Sequence, residues 1–305
     1  MKTLLITGAN GFIGRHLLAL AADKISNEFE IIVLGSAAPA ENQFRFVNHQ
    51  NYSFEAGAFR KAGIQNIDAV VHLGAAVAAS AGMADSEERF FANIKSLSHL
   101  FNHLPNPPEK FVFASTLDIY GTEIPVGVKE DSPGNPQNLY ALSKFTGEKM
   151  TEQWARKNKA IIQILRIGHI YGPGEEKYKK LIPETIRKVK QNLEPALYTE
   201  GRELRAFLHV RDCCRMILSA LALSEFIGPV NLSSARKISV KETVQCIIHA
   251  SRKELEIRKG NSPQGKDIVP GVDRMIRLLG NEAENFEDGI KEEYDLFDTE
   301  IEALS

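Results

Sequence analysis

Apolar positions gather into short runs that recur along the first half of the chain. KTLLIT (2–7), EIIVLG (30–35), DAVVHLG (68–74), KFVFAST (110–116) and AIIQILRIG (160–168) are each brief and rich in Val, Ile, Leu or Phe. Runs of that length and make-up predict buried strands. A weaker run, FVN (46–48), is placed as a further strand. Helical stretches separate most of them. One follows Gly8 and draws its apolar side from Phe12, Ile13, Leu17, Leu18 and Leu20; others cover 85–104 and 138–158. Strand–helix alternation of this kind predicts an α/β fold with a doubly wound parallel sheet and helices on both faces. The pattern changes near residue 170, where YGPGEEKYKK and later KGNSPQGKDIVPG read as loops and strands become sparse. The expected division is a first domain over 1–169, to which segments near 206–232 return, and a smaller C-terminal lobe that makes up most of 170–305.

Composition narrows the picture. The chain has 305 residues, 43% hydrophobic and 25% charged, which describes a folded globular protein rather than a disordered one. Its net charge of −2 gives no reason to expect nucleic acid or a membrane surface as partner. Cys213 and Cys214 are adjacent and Cys246 stands alone, so neither a disulfide framework nor a metal-ligand spacing emerges. That usage fits a reducing cytoplasm. The opening apolar run passes straight into glycines, which marks a strand rather than a signal peptide, and no run approaches the length of a membrane span.

TGANGFIG sets Gly8, Gly11 and Gly14 at regular spacing between a strand and a helix. A tight turn, a close backbone approach to a pyrophosphate and close helix–strand packing each require a small residue there, and the helix N-terminus offers N–H groups to the phosphate. The motif predicts a Rossmann dinucleotide site built from Gly8, Asn10, Gly11, Phe12, Ile13 and Gly14. An acid that would bond the ribose hydroxyls is expected about 20 residues further on. Gly35 and Ser36 stand in its place. An uncharged turn admits a 2′-phosphate, with Ser36 as donor and Arg15 as the candidate guanidinium, so the cofactor is NAD or NADP with a slight lean to NADP.

YALSK places Tyr140 four residues before Lys144, on one helix face. A free phenol titrates near pKa ~10. A neighbouring ammonium is expected to lower that value and let the phenol exchange a proton with a substrate hydroxyl. FASTLDIYG lies upstream, and Ser115 and Thr116 at the strand end offer hydroxyls to the same oxygen. Alone, each pattern is also what a surface tyrosine or a helix-capping hydroxyl would give.

Taken together, TGANGFIG, HLGAA (72–76), Asn93, STLDIYG (115–121), YALSK and IYGPG (170–174) resemble the extended short-chain dehydrogenase/reductases, and among them the nucleotide-sugar epimerase/dehydratase group. EGRELRAFLHVRD (200–212), GPVNLSS (228–234) and NFEDGIKEEYDLF (285–297) extend the likeness nearly to the end of the chain. The resemblance implies Thr116, Tyr140 and Lys144 as catalytic residues. It implies cofactor contacts from the glycine turn, from Leu73, Gly74 and Ala75, and from Lys144. It implies Arg205 as the ligand of a substrate diphosphate, Asn93 as a support for the strand ends or a plain structural amide, and a homodimer through helices 85–104 and 138–158. His169 replaces an asparagine common in the group; it either contacts the substrate or packs beneath the loop. Leu117 and Asp118 stand where dehydratases of the group carry Asp-Glu, which counts against dehydration. Gly82 replaces a serine found in many epimerases, and Ala206 an aspartate. The expected partner is a nucleotide-diphosphate sugar. The reading is an NAD(P)-dependent nucleotide-sugar epimerase, with an NADPH-dependent keto-sugar nucleotide reductase or a non-catalytic dinucleotide-binding protein as alternatives.

Overall fold

The computed structural model describes residues 1–39, 43–50, 53–77, 84–121, 126–262 and 265–300. Gly82, singled out above, lies outside them.

Seven parallel strands form the main sheet: β1 (Lys2–Thr7), β2 (Phe29–Gly35), β3 (Arg45–Asn48), β4 (Ala69–His72), β5 (Lys110–Thr116), β6 (Ile161–Ile167) and β10 (Val230–Leu232). Their spatial order is β10-β6-β5-β4-β1-β2-β3. Strand periodicity explains the three layers. Leu4, Ile6, Val33, Val71, Val112 and Leu165 face one side, where α1 (Phe12–Lys24) and α6 (Val210–Ala222) cover them. Leu5, Ile32, Val70, Phe111, Phe113, Ile162 and Ile164 face the other, against Leu97 and Leu100 of α3 (Glu87–His103) and Ala155 of α4 (Leu139–Asn158). Successive residues of a strand point to opposite faces, so runs that are apolar at nearly every position are buried on both. The weak FVN run does pair, as β3 on the outer edge of β2.

The order reverses at β1, with β2 on one side and β4 on the other. Crevices beyond the carboxyl ends of strands at such a switch point are where open α/β sheets bind ligands. Above that edge sit the remaining elements. β7 (His169–Tyr171) pairs with β9 (Phe207–His209), and β8 (Leu204–Arg205) with β11 (Ile238–Ser239). α5 (Leu181–Lys190), α7 (Val240–Ser251) and α9 (Phe286–Leu296) share a separate apolar cluster of Ile182, Ile186, Ile247, Phe286 and Ile290. Ser239 and Glu242 form a capping box at the start of α7. The short helices α2 (Ala58–Lys61) and α8 (Asp273–Leu279) complete the described elements. Among these residues, no helix is long and apolar enough to cross a membrane, and Cys213, Cys214 and Cys246 are free thiols.

Candidate active site

One cleft of about 1300 Å³ runs along the carboxyl edge of the sheet. It is lined by the glycine turn from Gly8 to Gly14, by Ser36, by Leu73, Gly74 and Ala75, and by Thr116, Tyr140, Lys144, His169 and Arg205. These residues therefore open on the same space, whereas Arg15 and Asn93 are not part of its lining.

The glycine turn fits a pyrophosphate. A Cβ on Gly14 would stand 2.0 Å from the Gly8 carbonyl oxygen, and one on Gly8 would stand 2.7 Å from Gly74 N, at a φ of +72°. These two glycines are needed for the turn itself. A Cβ on Gly11 would meet only the Gly8 carbonyl, at 3.1 Å, so the space over Gly11 is a cradle that a side chain would fill. No side chain caps α1 at Gly11 and no acid lies in its first turn, so the helix N-terminus is left to an outside anion. Thr7 locks the facing turn: its Oγ1 accepts from Gly74 N at 3.0 Å and bonds His72 Nδ1 at 2.8 Å. Burial, with Lys144 close by, pushes the His72 imidazole down to about 3, so it is neutral. Asn10 donates to the Ala37 carbonyl at 2.8 Å and steadies the turn that carries the exposed Ser36.

Arg15 departs from expectation. Its Nη2 donates to the Gly174 carbonyl, which draws the guanidinium to the loop after β7 rather than to the Ser36 turn. The Gly174 carbonyl attracts the cation locally, whereas the Ser36 turn offers no acid.

Thr116 ends β5, and its Oγ1 accepts from Asp118 N at 3.2 Å to cap the 3₁₀ turn Leu117–Tyr120. Ser115 also differs from the sequence expectation. Its hydroxyl donates to Glu148 Oε1 at 2.6 Å. Glu148 in turn accepts from Arg166 Nε at 3.0 Å and Nη2 at 2.9 Å. Adjacent residues of a strand face opposite ways, so Ser115 belongs to the α4 layer together with Phe111 and Phe113. Arg166 Nη1 continues to the Tyr120 hydroxyl at 2.7 Å, which donates to Asn231 Oδ1 at 2.8 Å. A buried ion pair with every neighbour bonded thus underlies the site.

Tyr140 and Lys144 lie one turn apart at the start of α4, where Asn138 Oδ1 caps the helix by accepting from Ala141 N at 2.8 Å. Asn93 bridges the two sides: its Oδ1 accepts from Ala76 N at 2.7 Å and its Nδ2 donates to Ser143 Oγ at 2.9 Å. Of the two roles weighed for Asn93, the geometry gives a support that joins the β4 turn to the helix of Tyr140. Burial pushes the Lys144 ammonium down to about 8, with Glu148 opposing, and the ammonium sits 4.7 Å from the Phe113 ring centre. Tyr140 reverses the sequence expectation. Burial, with Asp118 and Tyr178 adding negative potential, holds its phenol above the ordinary value. In the protein alone, desolvation outweighs whatever the neighbouring ammonium supplies.

At the far end, His169 Nε2 is buried without a hydrogen-bond partner among the described residues, and burial followed by Lys180 and Arg205 pushes the ring down to about 4. Arg205 Nη1 donates to the Leu204 and Lys266 carbonyls at 2.9 and 2.7 Å. It makes no ion pair among the described residues, so it is not a charge-paired tie between lobes. Leu117 is only 3% exposed and packs in an apolar cluster, whereas Asp118 opens on the cleft. The protein around Asp118 raises its carboxyl even though solvent reaches it, and Lys180 and the Thr116 hydroxyl oppose that rise. Lys177, Tyr178, Lys179 and Lys180 also line the cleft and were not singled out from sequence. Their signal was the run of lysines in EEKYKK, read above only as loop.

A phosphate cradle at a switch point, opening on a hydroxyl, a phenol and an ammonium, defines a nicotinamide-dinucleotide-dependent enzyme of the extended short-chain dehydrogenase/reductase type. Residues 4–232 match the model of the NAD-dependent epimerase/dehydratase family, and the chain belongs to that family. It is 26% identical to an uncharacterized UDP-glucose epimerase of Bacillus subtilis over 95% of this chain and 96% of that protein. It is 27% identical to the human dTDP-D-glucose 4,6-dehydratase over 81% of this chain and 74% of that protein. Among solved structures, a UDP-glucuronic acid 4-epimerase from Bacillus cereus, in complex with UDP-glucuronic acid and NAD, shares the fold with a TM-score of 0.80 at 20% identity, over 96% of this chain and 98% of that one.

Proposed function

We propose that the protein is a nucleotide-sugar epimerase that works through a transient keto-sugar. The observation that carries this reading is the opening of Thr116, Tyr140 and Lys144 on the same cleft as the phosphate cradle, with the guanidinium of Arg205, which makes no ion pair among the described residues, at its far end. Gly8, Gly11 and Gly14 with the N-terminus of α1 would hold the cofactor pyrophosphate, and Lys144 its nicotinamide ribose. When bound, the oxidised nicotinamide supplies a hydride acceptor and a positive charge to the cleft. Tyr140 takes the proton of the sugar hydroxyl as the carbon is oxidised and returns it on reduction. Its raised phenol keeps the proton until a cation enters the cleft, which favours the acid role in the return step. Thr116 donates to the same substrate oxygen, and Arg205 forks onto the substrate diphosphate. His169 Nε2 offers a further contact to the sugar or diphosphate.

The relatives support a nucleotide-sugar substrate, and the neighbour bound to NAD supports NAD held through the cycle, as epimerisation requires. Leu117 argues against 4,6-dehydration, because a buried leucine cannot protonate a leaving hydroxyl. The exposed Ser36 and the absence of an acid at the end of β2 favour a second reading, a keto-sugar nucleotide reductase that consumes NADPH; the engagement of Arg15 with Gly174 counts against it. We propose the lobe beyond residue 170 as the substrate side. We also propose a homodimer through α3 and α4, supported by Phe91 and Leu142, which stand exposed on those helices.

Mass spectrometry of the nucleotide that co-purifies with the protein separates the readings. Retained NAD supports epimerisation, whereas empty protein that oxidises NADPH with a keto-sugar supports reduction. Tyr140→Phe should keep the cofactor and lose roughly 10²–10⁴ in turnover. Near-native turnover of that variant would remove Tyr140 from the mechanism.

A further inference from the structure

The loop that follows β7 forms one wall of the cleft, through Lys177, Tyr178, Lys179 and Lys180. It is tied to its surroundings mostly through its backbone. Arg15 and His16 of α1 bond the Gly174 and Pro173 carbonyls, and Arg187 of α5 donates to the Glu176 carbonyl at 2.5 Å. One attachment has a different chemistry. Glu175 in the loop is 1% exposed and Glu293 on α9 is 0% exposed, and their carboxyls are near enough for each to alter the other's hold on a proton. Glu293 Oε2 also accepts from Gly172 N at 2.9 Å. Glu175 Oε2 and Glu293 Oε1 have no conventional hydrogen-bond partner among the described residues. Lys180 stands 3.6 Å from Glu175, but is itself 44% exposed. Two buried anions with one distant cation would repel each other strongly, whereas a carboxylic acid bonded to a carboxylate is a strong link.

We propose that Glu175 and Glu293 share one proton, and that this bond positions the Lys177–Lys180 wall against the substrate cleft. Burial is the main cause that raises both groups: Glu175 is pushed up to about 7, and Glu293 stands well above the ordinary carboxylate range. They titrate as a pair. The native state therefore holds more protons than the open chain, so the link is complete at low pH and is lost as pH rises through the folded values, near and above 7. The other groups facing the pair are Glu176, Tyr178 and Lys180 of the loop and Tyr171 of β7; His209 of β9 packs on Tyr171, and Arg15 and His16 of α1 bond the loop carbonyls. Tyr171 is raised and both histidines are lowered, in each case chiefly by burial, so all three stay neutral between pH 7 and 9 and do not mimic the effect. Lys177 is lowered by burial and is the one wall group whose own charge must be controlled for.

The test is amide hydrogen exchange of the 172–182 segment in the full chain, corrected for intrinsic exchange, from pH 6 to 9. Wild type should lose protection as pH rises past 7. Glu293→Gln carries a permanent donor in place of the proton, so it should stay protected across the range; Glu293→Ala should be unprotected throughout. Glu175→Gln serves as a second variant if a change at α9 impairs folding. A Gln variant that follows the wild-type pH profile, or a wild-type profile that is flat, overturns the proposal. The consequence for the cleft rests on the nucleotide-sugar reading and is measured separately with UDP. Its dissociation constant should rise severalfold between pH 6.5 and 8.5 in wild type and stay level in Glu293→Gln. Protection that behaves as expected without any UDP binding would leave the shared proton in place and overturn the substrate reading instead.

Discussion

Asn93 on α3 donates to Ser143 on α4 at 2.9 Å, and Ser143 Oγ donates in turn to the Tyr140 carbonyl at 2.7 Å. One amide therefore sets the height of the tyrosine relative to the turn after β4. Asn93→Ala leaves the buried Ala76 N–H without its acceptor. That change should destabilise the protein by about 1–3 kcal/mol in urea denaturation. Turnover should fall while dinucleotide binding persists. Unchanged stability would mean that the Ala76 amide finds another acceptor at no cost.

Lys144 is buried against the Phe113 ring, and burial outweighs the help of Glu148, so its charge weakens the fold it serves. Lys144→Met should abolish turnover and raise the Tm by about 2 °C or more below pH 8. The sign follows from its lowered value. The penalty on the native state is complete below the folded value of about 8 and fades as pH rises toward the ordinary lysine range. The Tm gain of the variant should therefore shrink across that interval, as scanning calorimetry at pH 7 and pH 10 will read.

Arg205 supplies a half-buried guanidinium whose hydrogen bonds, among the described residues, go to carbonyls. Arg205→Ala should weaken UDP binding by about 1.5–3 kcal/mol, roughly 10- to 150-fold, with cofactor affinity nearly unchanged. Arg205→Lys should recover only part of that, because an ammonium cannot fork onto two oxygens. Titration calorimetry showing full affinity in Arg205→Ala would remove this residue from the diphosphate site.

Beneath the cleft, Arg166 and Glu148 are 5% and 0% exposed at the side chain. Removing either partner alone strands a buried charge, so Arg166→Met should destabilise by about 3–5 kcal/mol. A chemical denaturation midpoint close to wild type would show that Glu148 takes up a proton and is tolerated neutral.

Much of this arrangement was legible in the chain. Parallel pairing followed from runs such as KFVFAST, and the cradle from TGANGFIG, because both depend on neighbours in sequence. The turn of Ser115 away from Thr116 could also have been read, since strand parity places Ser115 with Phe113 on the α4 face. What sequence did not reveal depends on distant partners. Glu293 lies 121 positions from the Gly172 amide that it accepts, and no local pattern announces that contact. Proximity along the chain points Arg15 to the Ser36 turn, but a loop carbonyl brought in by tertiary packing holds it instead. The Tyr140–Lys144 spacing gave the geometry correctly and the direction of the phenol's shift incorrectly, because spacing carries no information about desolvation.

The position of β10 bears on how the protein is made. Its three residues close the sheet against Leu165–Ile167 of β6, and they come late in the chain, at Val230–Leu232. As synthesis proceeds from the N-terminus, β6 emerges with an open parallel edge, and the chain must then build β7, α5, β8, β9 and α6 before the partner strand arrives. Pairings across such long separations form slowly and leave edges exposed in the meantime. The chain of bonds from Ser115 through Glu148, Arg166 and Tyr120 also ends at Asn231, on that last strand. The Tyr120 hydroxyl that receives Arg166 under α4 therefore gains its own acceptor only when β10 docks. A nascent chain stalled before it would present the glycine cradle without a finished floor beneath Tyr140.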